Sequence, residues 1–452
     1  MAYYGLTIGP IVNTLSLARK TAEIWMASYM FSYMMKNIAK KLYEEKVEFI
    51  IPYIDSTSFE INDEGIGMYH DRIIFRSDDF SLEKLDEIIK GVKKEFATII
   101  SEVIKKDKED IYEFFKDYVY VYTFKSEKEY QNPILETYPI LDNLEHHHNI
   151  YRYKTYIQEF LFRDKILQTS VAKSTKKTSF PSIMQIAAKD FALSNKEDDY
   201  SKIEKRDDFK QVYKYIAIVH ADGDNLGKVV KDDKDISEKL FEFAKKAKNT
   251  LKGKAETLFI GGDDLLFFAP VISKNGTIFD LIEKLRKDYR DALNDKRTTL
   301  SFGVSITYYK YPLYEALSLS RDALFDKAKK TNNKNNLAIS VRKHSGQSFE
   351  SVMEFDSEIY RNFKNLLENV LKSKIEIPHS IHHKLDSMKE LIKEIEINQI
   401  DDMFENYFNE EDHQGQFKEG LNEIKELLKL QKDDFENFFA ELSMIKLLRG
   451  DR

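Results

Sequence analysis

Ile260-Gly261-Gly262-Asp263-Asp264-Leu265-Leu266-Phe267-Phe268 sets a glycine pair and two adjacent carboxylates between two apolar runs of strand length. The central four residues read as a tight hairpin lifting two acids off the end of a sheet. Glycine there lets backbone approach a phosphate closely, and paired carboxylates hold divalent metal against phosphate oxygens. The same four residues are also ordinary turn chemistry. A second segment bears on the choice. Tyr213-Lys214-Tyr215-Ile216-Ala217-Ile218-Val219 is β-rich and stops at His220-Ala221-Asp222-Gly223-Asp224-Asn225-Leu226-Gly227. A strand ending in Asp-Gly-Asp and, about forty residues on, a Gly-Gly-Asp-Asp hairpin fit adjacent strands of one sheet. Asp222 then stands beside Asp263 and Asp264, and three carboxylates at one edge repel unless cations lie among them. Two-metal phosphoryl transfer uses that arrangement. Two solvated turns at unrelated places would leave the same residues.

The chain has 452 residues, more than one ordinary core, with 42% hydrophobic and 33% charged residues. These values place it among globular proteins of two to four domains. No apolar run approaches a membrane span, and the opening strand-like segment lacks a basic leader, so no membrane partner is expected. Zero cysteines exclude disulfides and thiolate metal sites and fit a cytoplasmic location. The net charge of −7 argues against indiscriminate nucleic-acid binding, but it is uneven: residues 351–452 carry −9 and the remainder +2. Within residues 151–180, Arg152, Lys154, Arg163, Lys165, Lys173, Lys176 and Lys177 interleave with Tyr151, Tyr153, Tyr156, Phe160 and Phe162. That mixture suits RNA contact, and it equally describes a solvated face over core aromatics.

Residues 1–125 read strand (Tyr3–Ile8), helix (Asn13 to about Leu42), strands (Val47–Ile54, Asp71–Phe75), helix opened by Ser81, and strand (Tyr118–Phe124). This is the order of a ferredoxin-like split βαβ pair. Residues 126–210 interrupt it with a small, mostly helical middle domain. The order returns over 211–350: strand to Ala221, helix Ile236–Leu251, strands flanking the hairpin, helix Ile278–Leu293, strand Thr299–Tyr308, helix Leu313–Lys329 and strand Leu337–Val341. Residues 351–452 repeat apolar positions at three- and four-residue spacing, an acidic helical bundle. The expected fold class is α+β, two palm-like domains plus these helical parts. The first copy has no Gly-Gly-Asp-Asp hairpin between Asp55 and Asp71, so the second copy is read as the chemical one.

With these segments assembled, the chain resembles the large subunit of type III CRISPR effector complexes, in the Cmr-type (type III-B) branch. The resemblance runs through Ile8-Gly9-Pro10-Ile11, Ala18-Arg19-Lys20-Thr21 with Trp25, Phe180-Pro181-Ser182, the Asp-Gly-Asp segment and the hairpin. It continues through Ser301-Phe302-Gly303-Val304, Tyr309-Lys310-Tyr311-Pro312-Leu313, Ala328-Lys329 and Lys343-His344-Ser345-Gly346. It implies two facing palms and a cyclase that, on target-RNA recognition by the guide-RNA complex, joins ATP into cyclic oligoadenylates. Asp222, Asp263 and Asp264 are then the catalytic carboxylates, holding two Mg²⁺ or Mn²⁺ ions together with Gly223. Gly223, Asp224, Asn225, Gly261 and Gly262 lie against the nucleotide, and Lys310 and Lys329 are placed for the triphosphate. Implied partners are the other Cmr-type subunits, guide RNA and target RNA.

Members of that group often begin with an HD nuclease, whereas this chain begins at the first palm; its His70-Asp71 is read as structural. A cysteine-ligated zinc is impossible. His146-His147-His148 and His379, His382 and His383 are read as solvated rather than metal-binding. Three rivals are carried: a diguanylate cyclase on the same palm, adenylyl transfer from ATP to another acceptor such as S-adenosylmethionine, and a catalytically silent scaffold.

Overall fold

The computed structural model describes residues 1–452 apart from 60–63, 148–152, 176, 178, 198, 232, 234, 332, 379, 409–414 and 451–452. Tyr151, Arg152, Lys176, His148 and His379 therefore lie outside the described residues.

Strands β1 (Ala2–Gly9), β2 (Glu48–Ile51), β3 (Arg72–Ser77) and β4 (Tyr120–Ser126) form an antiparallel sheet in the order β2-β3-β1-β4. β5 (Tyr215–Asp224), β6 (Glu256–Gly261) and β7 (Asp264–Pro270) belong to a second sheet, and β8 (Ile272–Ser273) pairs only with β9 (Gly276–Thr277). β10 (Thr299–Tyr308), β11 (Asn336–Arg342) and β12 (Ser348–Glu354) complete the second sheet, in the order β12-β11-β10-β5-β7-β6. Its β10-β5-β7-β6 part repeats the order of the first sheet, so the ferredoxin-like palm occurs twice.

Local chemistry explains the departures from the sequence pattern. The long first helix is broken into Ile11–Leu15 and Thr21–Glu44, because Glu23 Oε2 accepts from the backbone N–H of Arg19 (2.7 Å) and Lys20 (3.1 Å) and caps a new start. The helix Lys108–Tyr118 was not anticipated; the Asp107 side chain caps it, accepting from the amides of Glu109 and Asp110. The helix expected over 313–329 is α-helical only through Asp322, then becomes a π-turn over Ala323–Ala328. β12 was also unforeseen: it alternates toward the helix Phe435–Arg449, with Ser351 and Met353 buried.

Side chains of β5 divide between two cores. Ala217, Val219 and Ala221 pack in a cluster that includes Phe243 of the helix Ile236–Leu251, Tyr289 of the helix Ile278–Leu293, and the C-terminal helices. Ile216 and Ile218 face the other way and share a cluster with Leu6, Trp25 and Met30 of the first palm. The second sheet is thus covered on both faces, which is why β5 and β7 read as continuous apolar runs. The two palms are also joined by main chain: Gly67 N–H donates to Leu258 O (3.0 Å), and Ile260 N–H donates to Gly67 O (2.8 Å). That link covers the exposed edge of β6. Among the described residues no helix is long and apolar enough to cross a membrane.

Candidate active site

β5 and β7 run antiparallel with Ala221 opposite Leu265, which makes Asp222 and Asp264 the next cross-strand neighbours. β6 and β7 are closed by a two-residue turn, Gly262-Asp263, between the paired residues Gly261 and Asp264. Gly262 has φ +68°, the left-handed value that a hairpin turn with glycine first requires. The ends of these strands open on a cavity of about 760 Å³. Asp222, Gly223, Gly262, Asp263 and Asp264 line it from the second palm; His70, Asp71, Arg72 and Tyr138 line it from the opposite side.

Gly223 is required by contact. A Cβ there would stand 2.6 Å from Asp263 Oδ2 and 2.9 Å from Tyr289 Oη. The Asp263 carboxylate accepts the Gly223 backbone N–H, and Tyr289 Oη hydrogen-bonds Thr298 Oγ1 (2.8 Å), which donates to Asp224 O (2.7 Å). Burial pushes the Asp263 carboxyl well above the usual carboxylate range, and the Asp264 charge adds to the shift. Asp264 is raised as well, by burial and then by Asp71. Asp264 has accessible surface, but that surface opens on the cavity, so the group is wetted without being in bulk water.

Lys329 reaches the same place from the π-turn. Its ammonium donates to Gly223 O (2.8 Å), contacts the Asp222 carboxylate and stands 3.8 Å from Asp224 Oδ1. Burial and the Lys334 charge push it down to about 7, whereas contact with the Asp222 carboxylate favours the charged form.

Four expected site residues do not face the cavity. Asp224 is fully buried, its Oδ2 accepting from Thr299 Oγ1 (2.8 Å), Ser301 Oγ (2.7 Å) and the Asn335 amide (3.0 Å). It ties β5 to β10 and β11 and is not a nucleotide contact. Asn225 supplies a left-handed turn (φ +57°) and makes no side-chain cap. Gly261 makes room for the Phe259 ring, 2.1 Å from where a Cβ would be. Lys310 is displaced furthest: β10 pairs Thr299 with Asp224 but Tyr308 with Tyr215, so Lys310 follows the far end of the strand. Nine steps of strand put it roughly 30 Å from the carboxylates. It lies over Tyr309 instead.

His70 and Asp71, read from the sequence as structural, are at the site. A Cβ on Gly262 would stand 2.8 Å from His70 Nε2, and burial lowers that imidazole to about 4. Both residues, with Arg72 and Asp264, also line an adjoining cavity of about 690 Å³ between the palms. No sequence signal connects residues so far apart in the chain; the Gly67 link and the core shared by the two palms bring them together. The other chemical motifs fall elsewhere. His382 Nε2 bonds Ser443 Oγ (2.8 Å), and of the basic–aromatic stretch Tyr156 and Phe160 are core while Lys177 lies over Phe180 and pairs with Glu256.

Among the described residues no three His, Asp or Glu side chains converge as a ready-made metal cluster. The expected three-carboxylate edge is therefore looser than the sequence suggested: Asp263 lies by Gly223 and Tyr289, while Asp264 feels Asp71. The donors still suit a hard divalent cation. They are all oxygens, Asp222 and the Gly223 carbonyl with Asp263 alongside, and Mg²⁺ takes one or two carboxylates and completes its shell with water and substrate phosphate. Asp224 Oδ1, buried without a hydrogen-bond partner, turns toward the same cationic position.

Two palms facing one another across a carboxylate-lined cavity define a double-palm protein. Residues 215–338 match the second palm domain of Cas10/Cmr2, and residues 3–106 match the N-terminal region of the CRISPR-associated protein Cmr2. The two matched regions are those of the Cas10/Cmr2 family, the N-terminal one specifically of Cmr2, and the chain is consistent with a Cmr2-type subunit. It is 28% identical over 212 residues to the CRISPR system Cmr subunit Cmr2 of Pyrococcus furiosus, a match covering 38% of this chain and 24% of that protein. The match thus spans about a quarter of the relative's length. The fold is similar to a type III-B Cmr-beta structure in the apo state (TM-score 0.60, 10% identity, 87% of this chain and 76% of that one). It is also similar to Cmr-beta bound to cognate target RNA (0.54, 11%, 87% and 77%). A Csm1–Csm4 cassette in complex with one ATP aligns with all of this chain and 70% of its own (0.50, 9%).

Proposed function

We propose that this chain is the large subunit of a type III, Cmr-type CRISPR effector complex and works there as a metal-dependent nucleotidyltransferase, making cyclic oligoadenylates from ATP once guide RNA has found its target. The proposed division is a non-catalytic first palm (1–125), a middle domain (126–210), a catalytic palm (211–350) and a C-terminal bundle (351–452). The observation that carries the reading is the meeting of Asp222, Gly223 and Asp263 at one end of the second sheet, open to a cavity large enough for nucleotide. The presence of ATP in one Csm1–Csm4 relative and of target RNA on one Cmr-beta relative agrees with it.

In this reading Asp222, the Gly223 carbonyl and Asp263 hold Mg²⁺ or Mn²⁺, with Asp264 nearby. The metal, when bound, makes a ribose 3′-hydroxyl more acidic and neutralises departing pyrophosphate. The protein's own part is positional. The Gly223 amide orients Asp263, and Tyr289 and Thr298 brace the end of β5. Gly262 makes room for the His70 ring against the hairpin tip. Leu226, Val230, Leu240 and Phe241 give the cavity an apolar wall for a base. The first palm closes the other side with His70, and the middle domain adds Tyr138.

The test is mass spectrometry of products formed by the target-RNA-bound complex, supplied with ATP alone and then with ATP plus candidate acceptors. Cyclic oligoadenylate from ATP alone is expected. Product only when S-adenosylmethionine or another acceptor is present would move the reading to adenylyl transfer, and no product under either condition would leave a scaffold.

A further inference from the structure

The position of Lys329 is unusual for a side chain whose task is to meet phosphate. Its stem is largely buried, with 14% of the side chain exposed, and three oxygens lie around its ammonium: Asp222 Oδ2, the Gly223 carbonyl and, at 3.8 Å, Asp224 Oδ1. Two of these belong to the donor set assigned to the metal. The third is the orphaned oxygen of a fully buried carboxylate, which has Lys329 as its nearest cation.

The placement is built into the fold. Gly303 of β10 lets the helix Leu313–Asp322 lie directly on the sheet, since a Cβ there would stand 2.3 Å from both Ser320 O and Leu324 N. At that contact the helix widens into the π-turn Ala323–Ala328, which inserts one residue into the helical repeat and directs Lys329 at the end of β5. Asn336 Nδ2 donates to Ala328 O (2.8 Å) and holds the turn's end.

We infer that Lys329 is the resident counter-ion of this carboxylate site, occupying beside Asp222 and the Gly223 carbonyl the place a divalent cation takes. An ammonium and a divalent cation cannot share those oxygens, so cation binding requires Lys329 to withdraw. Its unbranched four-carbon stem allows that movement, and nucleotide phosphate gives the displaced charge a new partner. The lysine therefore weakens metal binding to the nucleotide-free protein and links metal binding to nucleotide arrival. This inference rests on the proposed metal-dependent reading.

The test measures Mn²⁺ binding to the full chain without nucleotide, by the loss of the free-ion EPR signal, in the parent, Lys329→Met, Lys329→Gln and Asp222→Asn. Lys329→Met and Lys329→Gln are expected to bind Mn²⁺ about tenfold more tightly than the parent, and Asp222→Asn more weakly. Both lysine variants are also expected to show a larger Mn²⁺-induced rise in Tm than the parent, a readout independent of turnover. Affinity and Tm rise unchanged in both lysine variants, with binding still lost in Asp222→Asn, would overturn the lysine inference alone. Binding indifferent to Asp222→Asn would remove the metal assignment and the inference with it.

Discussion

The ring of His70, carried by the first palm, rests against Gly262 at the tip of the second palm's hairpin, leaving no room for a side chain there. One consequence is direct. Gly262→Ala adds a methyl group 2.8 Å from the imidazole at a residue with φ +68°, so the hairpin must shift and the carboxylates with it. Displacement of this order lowers turnover roughly 10- to 100-fold. Adding His70→Ala removes the collision but not the backbone strain, and is expected to restore part of the rate of product formation. A double variant no better than Gly262→Ala would show that the contact does not govern the site.

Replacing Asp263 and Asp264 together by alanine is expected to abolish nucleotide product while guide-directed RNA binding and complex assembly persist. Loss of charge stabilisation of this kind costs about 10²–10³-fold or more. Removing two raised carboxyls also relieves repulsion, so the Tm should not fall. Asp222→Ala should lose product in the same way. Near-parental ATP conversion by the double variant would show that the site is elsewhere.

The two lysines singled out in the sequence separate cleanly. Lys310→Ala is expected to leave ATP turnover within about twofold of the parent, the usual tolerance of a surface change far from the reaction. Lys329→Ala is expected to lower it at least tenfold, since it removes the ammonium that turns from Asp222 to nucleotide phosphate when metal binds. Steady-state rates of the two variants in the assembled complex decide the matter; equal losses would contradict the geometry.

Glu441 provides a pH test away from the cavity. It is 1% exposed, accepts from Gln431 Nε2 (2.6 Å), and burial raises its carboxyl to about 8. A group raised in the folded state binds more protons there than in the unfolded chain, so its contribution to stability falls as pH rises from its ordinary value of 4.5 through 8. Glu441→Gln is therefore expected to stabilise the chain at pH 9 by about 1–3 kcal/mol and to flatten the decline in Tm between pH 6 and 9. An unchanged decline would place the pH sensitivity in other groups.

Much of this architecture was legible from residue order. Alternating and continuous apolar runs marked the strands of both palms, and the hairpin Gly261-Gly262-Asp263-Asp264 and the strand end Ala221-Asp222-Gly223 marked one sheet edge. Strand length and turn chemistry are local properties, encoded within ten residues of where they act. Where capping or packing competes with periodicity, the pattern misled. Glu23 cut one helix in two, and β12 exists because a C-terminal helix covers it.

What the sequence determined by itself is the chemistry available: two palm-like units, one with a Gly-Gly-Asp-Asp hairpin, and no thiolate to ligate metal. Tertiary structure decided which groups meet. Antiparallel register sent Lys310 to the far end of β10, and burial turned Asp224 into a structural anchor. The pairing of Gly67 with β6 brought His70 and Asp71 to the hairpin, and the π-turn on Gly303 delivered Lys329 to Asp222. The reason is physical. Residue type and local spacing fix what a side chain can do, whereas register, close backbone approach and desolvation depend on contacts between segments far apart in the chain.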